Sequence, residues 1–257
     1  MIRLIYKYLH HYFTARNTKG HGIHSPYVFQ FVRFVLYCKH PFYVFNKIEK
    51  QRSELLIDNS LLNITDLGTG KNRSMKVSDI ARRSLKSKKS GQLLFRMVYY
   101  FKAKNILELG TSFGITSAYL GSASTDCKLT TLEGCVETAR KAKEIFRSLE
   151  VTNVNVIVGN IDETLTPALE NIGLLDFIFI DANHKSTALF NYFEKCISKA
   201  SANCIIVIDD IYWSADMEMA WNTIKKHEQV TSTIDLFSFG IVFLNQDLTK
   251  KHFKVFF

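Results

Sequence analysis

The chain has 257 residues, of which 47% are hydrophobic and 22% charged, and its formal net charge is +9. This length supports one domain with an elaboration, and this composition excludes a mainly disordered chain. No apolar run approaches the ~20 residues that cross a bilayer, so we expect no transmembrane segment. The basic charge permits a nucleic-acid partner without favouring one, because the excess lacks the Arg-rich, aromatic-interleaved pattern of a nucleic-acid platform.

The first third of the sequence predicts helices. Amphipathic or aromatic-rich segments at residues 2–13, Tyr27–Tyr37 and Phe42–Leu56 indicate helices that pack on a sheet domain or cover its cleft. For residues 2–13 we favour packing into the core over attachment to a membrane surface. Residues 66–70, Asp-Leu-Gly-Thr-Gly, look like a nucleotide loop, but no acidic residue ends a strand ~20 residues later. We therefore interpret them as a structural loop.

From residue 105 onward, short β-rich runs alternate with helical patterns. The predicted strands occupy residues 105–109, 128–133, 154–159, 175–181 and 203–210. This alternation predicts βαβ units and a parallel sheet covered on both faces. Two further runs, at 230–238 and 240–246, have no helix between them and read as a hairpin with an antiparallel last strand.

The fold class predicted is therefore α/β, with a doubly wound, seven-stranded, mostly parallel sheet. We place a helical N-terminal extension or lid at residues 1–90 and the ligand-binding domain at residues 91–257. A dinucleotide dehydrogenase would instead continue the alternation through a sixth parallel strand.

A glycine-containing turn follows the first strand of this domain. Residues 105–117, NILELGTSFGITS, carry Gly110 and Gly114 between a strand that ends near Glu108 and a helix start. Glycine lets the backbone pass close under a nucleoside, and a helix N-terminus offers free N–H donors. Glu133 ends the next strand, 23 residues after Gly110, where a carboxylate can bind both ribose hydroxyls. The alternative is a glycine turn and a surface glutamate without a ligand.

Three carboxylates follow the fourth and fifth strands. Asp181 ends one buried strand, and Asp209 and Asp210 end the next. Because the carboxyl ends of parallel strands meet at one edge, these like charges would repel one another unless a cation intervened. Oxygen ligands suit Mg²⁺, which makes a metal site one interpretation. In the other, one aspartate caps the following helix while another binds ligand hydroxyls.

These motifs resemble those of class I S-adenosylmethionine-dependent methyltransferases, particularly the catechol and caffeoyl-CoA O-methyltransferase group. Residues 108–116, ELGTSFGIT, are similar to that group's E-x-G-x-x-x-G-x-S/T pattern. The group's metal-binding Asp has a Lys three residues later, where this chain has His184 after Asp181. Its Asp-Asn pair corresponds to Asp209-Asp210 here, and Trp213 follows Asp209 at the group's spacing.

The resemblance implies S-adenosylmethionine as the cofactor and Mg²⁺ as a further expectation. The cofactor-binding residues that it implies are Glu108, Gly110, Thr111, Ser112, Gly114, Thr116, Glu133, Asn160 and Asp181. The metal ligands that it implies are Asp181, Asp209 and Asp210.

The function predicted is methyl transfer, with O-methylation of a small hydroxylated acceptor. His184 is the first candidate base and Lys185 the second. Two alternatives remain open: a catalytically silent methyltransferase-like module that binds RNA or protein, and an NAD-dependent dehydrogenase. Five cysteines without CxxC spacing indicate reduced thiols and a cytoplasmic location. The acceptor's identity and the oligomeric state stay open.

Overall fold

The structure is a computed structural model that describes residues 2–66 and 71–257. The chain divides into two compact units, His40–Gly173 and a second that joins Met1–Lys39 to Leu174–Phe257. We call the first the glycine-turn unit and the second the terminal unit. The boundary predicted at residue 90 falls inside the glycine-turn unit, and the role of residues 1–90 as a lid stays a prediction.

The described residues form ten α-helices and ten strands. The helices are α1 Ile2–Thr14, α2 Pro26–Phe31, α3 Val44–Ile57, α4 Val77–Ser84, α5 Lys88–Phe101, α6 Ile115–Gly121, α7 Val136–Ser148, α8 Ile161–Asn171, α9 Ser186–Ile197 and α10 Ala215–Lys226. The strands are β1 Leu61–Asp66, β2 Lys71–Lys76, β3 Asn105–Leu109, β4 Lys128–Glu133, β5 Val154–Val158, β6 Leu175–Ile180, β7 Ala200–Asp209, β8 Ser232–Asp235, β9 Phe239–Phe243 and β10 Lys251–Lys254. A π-helical turn at Val32–Leu36 extends α2, as the aromatic-rich segment predicted.

In the glycine-turn unit, β3, β4 and β5 pair in parallel. Leu109 lies opposite Leu132, and Glu133 lies opposite Val158, so the turns after these strands leave from one edge. Every side chain of α6 is buried, because this helix is covered by α5 as well as by the sheet. The unit therefore aligns the glycine turn with the end of β4.

In the terminal unit, β6 pairs in parallel with β7, and β9 runs antiparallel to both β7 and β8. The strand order is β10-β8-β9-β7-β6 in this unit and β3-β4-β5 in the glycine-turn unit. The predicted α/β fold, its mostly parallel sheet and its terminal hairpin are confirmed. The count of seven strands is wrong by one, because β10 pairs in parallel with β8. Only Phe253 of β10 is buried, which leaves no alternating pattern to read.

The N-terminal third departs from the sequence prediction in two places. An antiparallel hairpin, β1–β2, lies in a segment expected to be helical, and Leu61 pairs with Lys76 at its base. Of the run interpreted as a structural loop, residues 67–70 lie outside the described residues.

The second departure is α1. His11 is its only buried side chain, so the packing of an apolar stripe of residues 2–13 into the core is wrong. Across the described residues, the structure contains no helix of the length and apolarity that a bilayer crossing requires.

Candidate functional site

The turn between β3 and α6 is built from residues with left-handed backbone. Gly110 has a φ of 99°, Ser112 of 49° and Gly114 of 75°. A Cβ on Gly114 would lie 2.6 Å from Cζ of Phe146 and 2.9 Å from Cβ of Ala142. Glycine is therefore required at position 114 both by the backbone conformation and by the packing of α7.

A buried hydrogen-bond network supports this turn from below. The Glu108 side chain is 0% exposed, and its Oε2 accepts hydrogen bonds from Ser117 Oγ and, at 2.7 Å, from Thr131 Oγ1. Thr131 Oγ1 also lies 2.7 Å from Thr111 Oγ1. Ser117 thus bonds to Glu108 directly, and Thr111 is linked to it through Thr131 of β4. The Glu108 carboxylate therefore connects the turn to the neighbouring strand and to α6.

Glu133 lies directly beside the turn. Its Oε2 accepts the Ser112 N–H at 2.7 Å, and its Oε1 accepts the Cys135 N–H at 2.9 Å. An ionised carboxylate has about four acceptor sites, so each oxygen retains one for a further donor. The side chain is therefore both fixed in orientation and able to accept two hydroxyl groups. These residues fit a nucleoside ribose.

Ser84, at the end of α4, is a contact that the sequence did not indicate. Its Oγ lies 2.8 Å from Oγ of Ser112. The run ARRSLKSKK reads as a solvated basic segment, and nothing local marks one serine of it as a neighbour of the turn. Such a contact is decided by packing between distant segments.

The two remaining candidates of the glycine-turn unit lie on helices. Thr116 is buried in the first turn of α6. Asn160 is the N-cap of α8, where its Oδ1 accepts the Asp162 N–H at 3.1 Å. This capping role accounts for the amide locally, and its contact with a cofactor stays a prediction.

In the terminal unit, the candidate base residues lie in the loop between β6 and α9. Asp181 is half-buried, whereas His184 and Lys185 are exposed. Asn183 has a φ of 47°, which turns the chain within this loop. Asp216 of α10 fixes the far end, because its carboxylate accepts both the Ser186 N–H and the Ser186 hydroxyl at 2.6 Å. The loop thus holds its imidazole and ammonium groups in solvent between two fixed ends.

The metal site expected from the three carboxylates finds no support in the geometry. Among the described residues, no three His, Cys, Asp or Glu side chains are grouped so that they could hold a metal ion. Asp209 is 3% exposed at the end of β7, and Asp210, with a φ of 53°, begins the turn that follows. Asp210 lies beyond the end of β7, where its left-handed backbone interrupts the strand geometry. The residues do not fit the metal.

Trp213 follows in the same turn, where its backbone N–H donates to the Asp210 carbonyl at 2.9 Å. Its indole is 61% exposed. A single exposed aromatic residue is common on protein surfaces, so the contact of Trp213 with a ligand stays a prediction.

Comparison with known proteins agrees with these features. Residues 107–211 match the family model described as a methyltransferase domain, which is less than half of the chain. No curated protein matches the sequence. Among solved structures, cofactor-bound Rv0187 from MTB is 25% identical with a TM-score of 0.56, over 63% of this chain and 83% of that one.

Two further structures cover more of the chain at lower identity. The O-methyltransferase from Bacillus cereus in complex with SAH is 20% identical, with a TM-score of 0.57, over 84% of this chain and 97% of that one. The O-methyltransferase TomG from Streptomyces achromogenes, in complex with SAM, is 18% identical, with a TM-score of 0.58, over 84% and 94%. The resemblance to class I S-adenosylmethionine-dependent methyltransferases predicted from the motifs is confirmed.

Proposed function

We propose that this chain is an S-adenosylmethionine-dependent methyltransferase that methylates a hydroxyl group of a small acceptor. The observation that carries the proposal is the Glu133 carboxylate, held by the Ser112 and Cys135 N–H groups beside a left-handed glycine turn. The structural neighbours named as O-methyltransferases support transfer to oxygen.

The glycine-turn unit would bind the cofactor. Glu133 would accept the two ribose hydroxyls at its free acceptor sites, and the backbone between Gly110 and Gly114 would pass close beneath the nucleoside. Glu108 would act indirectly, because its hydrogen bonds to Ser117 and Thr131 keep the turn in place.

The terminal unit would supply the base. When bound, S-adenosylmethionine presents an electrophilic methyl group on a sulfonium, so the protein must align the acceptor and remove its hydroxyl proton. His184 would take that proton on a neutral imidazole nitrogen, and Lys185 is the second candidate. The exposed ring of Trp213 would pack against an apolar part of the acceptor. No step requires a metal, because the carboxylates do not form a group that fits one.

The first test is cofactor affinity. Titration calorimetry with S-adenosylhomocysteine should show about ten- to a hundredfold weaker binding for Glu133→Ala, as expected when charge-assisted hydrogen bonds are lost. The matched control is Glu137→Ala, which also removes a glutamate side chain. Glu137 lies on the solvent-facing side of α7, where its carboxylate pairs with Arg140. This control should bind like the wild type.

Unchanged affinity in Glu133→Ala would place the cofactor elsewhere. Methyl transfer from labelled S-adenosylmethionine to a panel of catechol-like and other hydroxylated acceptors, with and without a chelator, then tests the reaction itself. Transfer that stops with the chelator and returns with Mg²⁺ would contradict the metal-free step.

A further inference from the structure

Helix α1 turns its apolar side outward. Ile2 is 86% exposed, Phe13 78% and Tyr6 65%, and Ile5 and Leu9 are also about half exposed or more. At 3.6 residues per turn, these five positions lie on one side of the helix. We call Ile2, Ile5, Tyr6, Leu9 and Phe13 the outer face of α1.

Three basic side chains of α1, those of Arg3, Lys7 and His11, contact the protein instead. Arg3 and Lys7 each contact the Glu218 carboxylate at 2.6 Å. Arg3 Nη1 also donates to the Tyr212 carbonyl at 3.0 Å, and the buried His11 ring lies 3.3 Å from the Val255 carbonyl. The helix is therefore anchored through its basic side, which leaves the outer face available. This orientation is the reverse of the usual surface helix, whose charges face water.

The N-terminal segment that carries α1 has charged side chains of one sign only. The first 48 residues contain no Asp or Glu, and Arg16, Lys19, Arg33 and Lys39 are all exposed. Basic side chains next to an apolar helical face are attracted to the anionic headgroups of a bilayer, and each contributes to binding near the surface. Tyr is also typical of the headgroup region, where its apolar ring and its polar hydroxyl are both accommodated.

A second copy of the chain suits this face less well. A helix of 13 residues is about 20 Å long and about 10 Å wide, which gives an area of contact near 200 Å². Even twice that area is about half of the 800 Å² per partner that stable protein interfaces bury. Two basic N-terminal segments would also repel each other across such a contact.

We propose that α1 docks the protein flat onto an anionic lipid bilayer. The outer face enters the boundary between headgroups and acyl chains, and Arg16 and Lys19 contact the headgroups. The helix stays attached to the protein through Glu218, so the bilayer holds the whole enzyme at its surface rather than a released tail. This interaction is independent of the function proposed above.

The test is co-sedimentation of the full-length protein with vesicles of phosphatidylcholine containing 30% phosphatidylglycerol, compared with vesicles of phosphatidylcholine alone. Binding should occur on the anionic vesicles and weaken at high salt. In Leu9→Ser/Phe13→Ser, partitioning should fall by about tenfold or more, because two large apolar side chains no longer enter the bilayer. The control Ile57→Ser/Met219→Ser changes two equally exposed apolar residues outside α1 and should bind normally.

A further variant, Arg16→Gln/Lys19→Gln, should weaken binding to anionic vesicles without altering the circular dichroism spectrum. Absence of binding by a folded wild-type protein would overturn the proposal, as would equal binding to the neutral vesicles. Analytical ultracentrifugation gives the remaining outcome: a wild-type dimer that the Leu9→Ser/Phe13→Ser variant dissociates would assign the outer face to a second copy and overturn lipid docking.

Discussion

The candidate residues of the two units differ in how firmly the protein holds them. In the glycine-turn unit, Glu108 is fully buried and Glu133 accepts two backbone N–H groups. In the terminal unit, His184, Lys185 and Trp213 are exposed. A site for one constant ligand is best built from fixed backbone and buried hydrogen bonds, whereas a site for a variable acceptor can be left to surface side chains. The proposed division, with the cofactor bound by the glycine-turn unit and the acceptor handled by the terminal unit, predicts that changes in the two units have different effects.

The largest effect is expected from removal of the proposed base. His184→Ala should lower kcat for methyl transfer by about 10²- to 10⁴-fold, the range for loss of general-base catalysis. Affinity for S-adenosylhomocysteine should not change, because the glycine-turn unit is untouched.

Lys185→Ala is the matched change at the neighbouring position, and steady-state kinetics should show a much smaller loss. A larger loss in Lys185→Ala would exchange the two roles. If both variants kept the wild-type kcat, the loop between β6 and α9 would not supply the base.

The second prediction concerns the rigidity of the glycine turn. Gly114→Ala should lower the free energy of unfolding by about 2–5 kcal/mol, which combines left-handed backbone strain with the overlap between the new Cβ and Phe146. Urea denaturation followed by circular dichroism measures it.

Gly22→Ala is the control, because Gly22 also has a positive φ, 64°, but its Cβ would meet only Asn17 Nδ2 at 3.6 Å. That change should cost about 1–2 kcal/mol from strain alone. Equal costs in the two variants would show that packing against α7 does not constrain the turn.

The smallest expected effect is a pH dependence in the terminal unit. The hydroxyl and N–H of Ser186 hold the pKa of Asp216 below its ordinary value of 3.8. A carboxyl with a depressed folded-state pKa stabilises the protein above the unfolded pKa and loses that contribution as pH falls through the folded pKa. Asp216→Asn should therefore lower Tm slightly at pH 7, and the difference should shrink below pH 3.8.

Differential scanning calorimetry over this pH range checks the prediction. Asp247→Asn, an exposed aspartate near the end of the chain, serves as the control and should leave Tm unchanged at every pH. A Tm difference for Asp216→Asn that grows on acidification would contradict the sign of the effect.

The alternation of strands and helices from residue 105 and the terminal hairpin could both be predicted from the sequence. Both depend on local patterns: buried strands are continuous apolar runs, and the helices between them repeat every 3.6 residues. The glycine turn and Glu133 could be recognised for the same reason. The turn needs a left-handed backbone that glycine adopts readily, and Glu133 is marked by its position at the end of a strand, and both features are local. Their roles in binding stay predictions.

The features that join distant segments depend on contacts that form only in the folded chain. Strand β10 forms because β8 offers it an edge, and Ser84 meets Ser112 because α4 packs near the turn. The outward orientation of α1 is of the same kind. Its amphipathic pattern predicts two faces but not which one turns inward. Glu218, more than 200 residues away, pairs with Arg3 and Lys7 and so holds their side of the helix against the protein. A local sequence pattern cannot predict this orientation, because the contacts that stabilise it involve residues that come close only in the folded chain.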